Sequence, residues 1–171
     1  MIAIGLVVSA VIGAIADGRS TGAPGGAEYE QEQRDNAALI MAAGRDLGLP
    51  VRDQAIGVMT AMGESSLRNI DYGDWETSGV TNPDGTRTTS IGLFQQQDSW
   101  GTREQRLDPY TSASLFYRAL VARVPDRESV APTLVAHRTQ INRNPDHYAR
   151  YWPEAIALVE SLSVVDSGLV E

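Results

Sequence analysis

The stretch 52–67, RDQAIGVMTAMGESSL, decides how the fold is read. Ile56, Met59 and Met62 recur at helical spacing and fall along one face, so the segment predicts a buried helix. Glu64 lies near the C-terminal end of this otherwise apolar run. A carboxylate there meets the negative pole of the helix dipole, and Met59 and Met62 help to strip it of water. Both effects push a carboxyl pKa upward. Glu64 is therefore badly placed for stability and well placed for chemistry that needs a neutral acid.

Working outward, Ala37, Ile40, Met41 and Leu47 predict a helix from about Tyr29, with Gly48 and Pro50 as its stop. On the other side, Asn69–Ser90 is polar and punctuated by glycine. Its Asn82-Pro83-Asp84-Gly85 is a turn signal, across which Thr81 and Arg87–Thr89 are expected to pair as a short hairpin. Ile91–Phe94 is a short apolar segment leading into Gln95-Gln96-Gln97 and then Trp100-Gly101. Further helices are expected from Pro109 to about Val124, with Ala113, Phe116, Tyr117 and Leu120 inward, and from about Val130 to Gln140. The last is expected to start at Asn144-Pro145, an N-cap followed by a first-turn proline, and to reach about Leu162. The expected fold class is mainly α, a helical domain over 29–163 interrupted by one irregular region that concentrates the functional residues.

Outside the domain, residues 1–16 are almost wholly apolar and end in Ala14-Ile15-Ala16, a small-x-small pattern. They read as an export signal or short membrane anchor. Residues 17–28 follow as a glycine-, serine- and proline-containing linker, and 164–171 as a C-terminal tail. The layout implies an extracytoplasmic protein that touches membrane only through its N-terminal segment.

Composition narrows the chemistry. The 171 residues include no cysteine and only two histidines, His137 and His147, which leaves disulfides, thiolates and a histidine-rich zinc centre without ligands. No metal or organic cofactor is implied. The formal charge is −8 and all 14 basic residues are arginine, so nucleic acid is not an expected partner. A polymer held by this surface must be gripped by shape, hydrogen bonds and stacking.

A carboxylic acid kept neutral near pH 7 is what glycosidic cleavage needs, because the leaving oxygen takes up a proton as its bond breaks. The segment Ser90-Ile91-Gly92-Leu93-Phe94-Gln95-Gln96 supplies parts that bind sugars: a backbone-exposing glycine, amides and an aromatic. Tyr72, Trp75, Trp100 and Tyr110 fall in or near the same polar region.

Glu64-Ser65-Ser66-Leu67-Arg68-Asn69 followed by Gly92-Leu93-Phe94-Gln95-Gln96 resembles the lytic transglycosylase and goose-type lysozyme superfamily. The likeness is to secreted or membrane-tethered modules of high-GC Gram-positive bacteria, their mobile elements or phages. Trp100-Gly101-Thr102, Leu107-Asp108-Pro109, Phe116-Tyr117 and Pro145-Asp146-x-Tyr148 extend it in order, over about 36–155. The resemblance implies a lysozyme-like fold with a small hairpin region bordering the cleft. It also implies cleavage of the β-1,4 bond between N-acetylmuramic acid and N-acetylglucosamine in peptidoglycan. Glu64 would act first as acid and then as base, closing a 1,6-anhydro ring. Ser66 matches a position near that carboxyl, Gln95 one facing substrate, and Gln140 and Tyr148 positions on the far wall, while Gly92, Leu93, Phe94, Gln96 and Trp100 complete the binding set. Two departures are visible: the loop from Asp74 to Ser90 is long, and His137 stands where glutamine is expected. A hydrolytic muramidase would need a second carboxylate, for which Asp71 and Asp74 are the candidates. A non-catalytic wall-binding or scaffolding domain of a conjugation or phage apparatus is the alternative of another class.

Overall fold

A computed structural model describes residues 29–166. The expected signal or anchor, the linker and residues 167–171 of the tail lie outside the described residues. The described chain is mainly helical, with seven α-helices and only two isolated bridges in place of strands. No helix among the described residues is long and apolar enough to cross a membrane.

Helix α1 (Gln31–Asp46) starts at Glu30, where Gln33 closes a capping box, and stops before Gly48 as expected. Helix α2 (Val51–Ser65) follows Pro50 and carries Ile56, Met59 and Met62 into the core. It is the central element, packed against α1, α6 (Pro132–Gln140) and α7 (Trp152–Asp166), while α5 (Pro109–Arg123) covers α1. Ala113, Phe116, Tyr117 and Leu120 of α5 are all fully buried, and Phe116 stacks on Phe94 at 4.8 Å. Leu47, expected inside with α1, is exposed at the helix end.

Asp53, fully buried at the first turn of α2, accepts from Arg127 Nε at 2.6 Å. Arg52 beside it donates to the carbonyls of Arg127 and Val130. These bonds fasten the α5–α6 connection to the start of α2. Removing either arginine leaves a buried charge or carbonyl without its partner, which is costly away from water.

Three features differ from the sequence reading. A short helix, α3 (Asp74–Ser78), occupies part of the stretch expected to be irregular, and another, α4 (Arg103–Leu107), lies before Pro109 where no helix was expected. The turn at Asn82–Gly85 closes with a single Thr81–Arg87 antiparallel bridge, and no ladder extends it. The last helix does not start at Asn144-Pro145. Asn144 Oδ1 accepts the Asp146 N–H at 3.0 Å, which makes an Asx turn, and the first-turn proline of α7 is Pro153. Helix α7 then runs to Asp166, past the expected end near Leu162.

Candidate functional site

Glu64 is one residue from the end of α2, with 9 % of its surface exposed. The helix closes in a turn where Leu67 N–H reaches back to Ala61 O, with Ser66 in the left-handed region. Among the described residues, four non-glycines have positive φ: Ser66 at 54°, Leu67 at 60°, Gln95 at 45° and Ile141 at 58°. The first two follow Glu64, the third is the first glutamine of the motif and the fourth follows Gln140. Each costs about 1 kcal/mol or more, and such strain persists only where the surroundings hold it.

Here amides do the holding. Gln33 Nε2 and Asn36 Nδ2 of α1 donate to the carbonyls of Ser66 and Leu67 at 2.7 and 2.8 Å. Gln140 Nε2 donates to Phe94 O at 2.8 Å, and Gln95 Nε2 reaches the carbonyls of Gly92 and Tyr72. Ser65 Oγ donates to Leu93 O at 2.9 Å, so the glycine motif is tied directly to the last turn of α2. Gly92 has φ +75°, and a Cβ there would sit 2.1 Å from Arg106 O, so only glycine fits. Arg106, itself buried, donates to the carbonyls of Thr89 and Gln96 and pairs with Asp98.

Tyr148, fully buried, donates from its hydroxyl to Glu64 Oε1. It comes this close because residue 63 is glycine: a Cβ there would lie 2.7 Å from Tyr148 Cδ1. His147 donates to the Gly63 backbone and packs edge-on against the Tyr148 ring at 4.7 Å. Burial lowers the His147 pKa, so the ring is neutral at pH 7.

The other Glu64 oxygen, Oε2, is buried and has no hydrogen-bond partner. Burial pushes the Glu64 pKa up to about 8, the Tyr148 hydrogen bond pulls it partly back, and the charge of nearby Asp74 pushes it up again. Glu64 is thus mostly a neutral acid at pH 7. The proton it carries can be given away, and the resulting carboxylate can take one up.

The remaining expected residues divide. Tyr148 bonds Glu64 itself, whereas Gln95 and Gln140 hold the glycine motif, which Ser65 ties to the end of α2. Ser66 is exposed and serves through its backbone at the helix cap; Ser65 makes the side-chain tie. Leu93 and Phe94 are core residues, and Gln96 is buried with its amide on Ser112 O, so none of these three side chains opens to solvent. Their contribution is the shape of the turn. Of the aromatics, Tyr110 sits away from the motif with its hydroxyl on Asp46, whereas Trp75 and Trp100 are each covered on one face by an arginine. Asp74 is buried and electrostatically coupled to Glu64. Asp71 is 71 % exposed and pairs with Arg103 at 3.6 Å.

Sequence reasoning did not single out Gly63, Arg106, Gln33, Asn36 or His147. Gly63 beside an acid was a usable signal. The amides and Arg106 were not legible, because their partners are carbonyls far along the chain.

No family model matches the chain, and no curated protein matches it either.

Proposed function

We propose that this domain cleaves peptidoglycan glycan strands at the bond between N-acetylmuramic acid and N-acetylglucosamine, outside the cytoplasm, with Glu64 as proton donor. One observation carries the reading: Glu64 is a buried acid with one oxygen fixed by Tyr148 and the other unpartnered, set among strained turns. Such a carboxyl holds its proton at neutral pH, on the oxygen that Tyr148 leaves free. Strained backbone clusters where function over-determines structure. The sequence likeness to lytic transglycosylases and goose-type lysozymes supplies the substrate and a lysozyme-like form for the helical domain.

In the proposed reaction Glu64 gives its proton to the glycosidic oxygen as the bond to C1 breaks. The leaving sugar departs as an alcohol, and an oxocarbenium-like centre forms. Glu64, now a carboxylate accepting from Tyr148, takes the proton of the C6 hydroxyl. The C6 oxygen then bonds to C1, giving a 1,6-anhydro product with no water consumed. Proton and charge return to their starting places.

A second reading, hydrolysis, is favoured by one feature. Asp74 is buried and its charge is felt at Glu64, which suits a base that activates water, while Asp71 is engaged on the surface. Mass spectrometry of fragments released from purified peptidoglycan separates the two. Products 18 Da (one water) lighter than hydrolysis products, absent with Glu64→Gln, support the transglycosylase. Ordinary reducing ends assign the hydrolase. No release by folded wild type from several wall types removes both readings.

A further inference from the structure

A groove of about 670 Å³ runs between the 82–89 loop and the 97–100 turn on one wall and α5 with the end of α6 on the other. Gln95 and Gln140 stand at its edge, and Glu64 does not line it. It is therefore an extension of the site rather than the site itself.

Its charges are unusual for a chain of net charge −8. Arg123 lies over the Trp100 ring at 4.9 Å and donates to Thr139 O, yet it has no carboxylate partner among the described residues. Arg87, on the opposite wall, lies over Trp75 at 4.6 Å, also without one. The aromatic rings hold both side chains in place. The two acids of the groove are occupied: Asp98 pairs with buried Arg106, and Asp84 Oδ1 accepts from the Thr86 amide and hydroxyl. Two guanidinium groups thus remain with free donors facing one space, and a guanidinium fork matches a carboxylate.

An N-acetylated glycan carries no charge that would use them. The carboxylates of such a substrate are on the peptide attached to the lactyl group of its muramic acid residues. We propose that this groove binds that acidic peptide stem, with Arg87 and Arg123 taking its carboxylates, so that the enzyme prefers strands whose stems are intact. The proposal rests on the glycan-cleavage reading above and adds the part of the substrate that sets specificity.

The test compares the full chain with its Arg87→Gln and Arg123→Gln variants on two substrates, peptidoglycan strands with stems intact and the same strands with their stem carboxylates amidated. Wild type is expected to cut the strands with acidic stems about tenfold faster, and each variant to lower that ratio toward one. In parallel, calorimetry with the synthetic tripeptide L-Ala-γ-D-Glu-L-Lys and its fully amidated form reads binding without cleavage. The acid form should bind more tightly to wild type, and the difference should shrink in the variants. Equal wild-type rates on both substrates together with equal tripeptide affinities would overturn the stem groove while leaving glycan cleavage standing. Absence of cutting on either substrate would instead overturn the parent reading, and this one with it. Arg123 also holds Thr139 O, so if Arg123→Gln does not fold, Arg87→Gln alone carries the comparison.

Discussion

Replacing Glu64 by glutamine should invert the ordering of stability between wild type and variant as pH rises. The folded-state pKa is about 8 against an ordinary 4.5, so the folded protein binds the Glu64 proton more tightly than the unfolded chain. A raised folded pKa contributes stability that is fully present below pH 4.5 and is lost as pH climbs to 8. At pH 7 the unfolded carboxyl has ionised and the folded one has not, which costs the wild type about 3 kcal/mol relative to acid conditions. Glutamine removes this dependence. It keeps an oxygen to accept from Tyr148, but places an amide nitrogen where Oε2 has no partner. That extra unsatisfied donor costs about 1 kcal/mol at every pH.

The variant should therefore be about 1 kcal/mol less stable than wild type near pH 4 and about 2 kcal/mol more stable at pH 7, with the curves crossing between about pH 5 and 6. Urea unfolding of both proteins at half-unit steps from pH 4 to 8 measures this directly, because titrating groups not coupled to Glu64 cancel in the difference. Parallel curves would mean that Glu64 titrates as an ordinary carboxyl in the folded protein, and the proton-donor argument would lose its physical basis. A variant that is unfolded throughout would mark Glu64 as structural.

Other substitutions test the supports of the site. Tyr148→Phe removes the hydrogen bond that holds the Glu64 pKa down, so the alkaline limb of the pH–rate profile should move upward while stability falls by about 1–2 kcal/mol; an unmoved limb would disconnect Tyr148 from the acid. Gly63→Ala sets a methyl against the Tyr148 ring, and denaturant midpoints should show a loss of about 1–3 kcal/mol with most activity gone, whereas wild-type behaviour would show that the ring has room to move. Arg106→Met leaves the carbonyls of Thr89 and Gln96 unpaired, and a loss of about 2–4 kcal/mol in urea unfolding is expected, with a change under 1 kcal/mol counting against its role in shaping the glycine motif. Asp74→Asn removes the charge that raises the Glu64 pKa, so the alkaline limb should move down; loss of most of the rate on peptidoglycan, by contrast, would assign hydrolysis.

What could be read from the chain follows from the range over which each interaction acts. Helices α1, α2 and α5 announced themselves because their apolar residues repeat locally, and burial of Ile56, Met59, Met62, Phe116 and Tyr117 follows from that repeat. Glu64 was legible for the same reason: an acid in an apolar helical run is a local contradiction. Short helices α3 and α4 carry almost no periodicity, and the only local cue to α4 was the Thr102–Gln105 capping box. The Asn144-Pro145 error has a related cause, since the residues that cap a helix also make Asx turns, and only the partner of Asn144 decides between them. Phe94 misled for the opposite reason. An aromatic in polar sequence looked available to a ligand, yet Gln140 holds its carbonyl and Phe116 stacks on its ring, both from distant helices. Tyr148, which fixes one Glu64 oxygen and is admitted by Gly63, meets Glu64 across 84 positions of sequence. A single local window registers the acid; only the tertiary contact reveals that its environment is built.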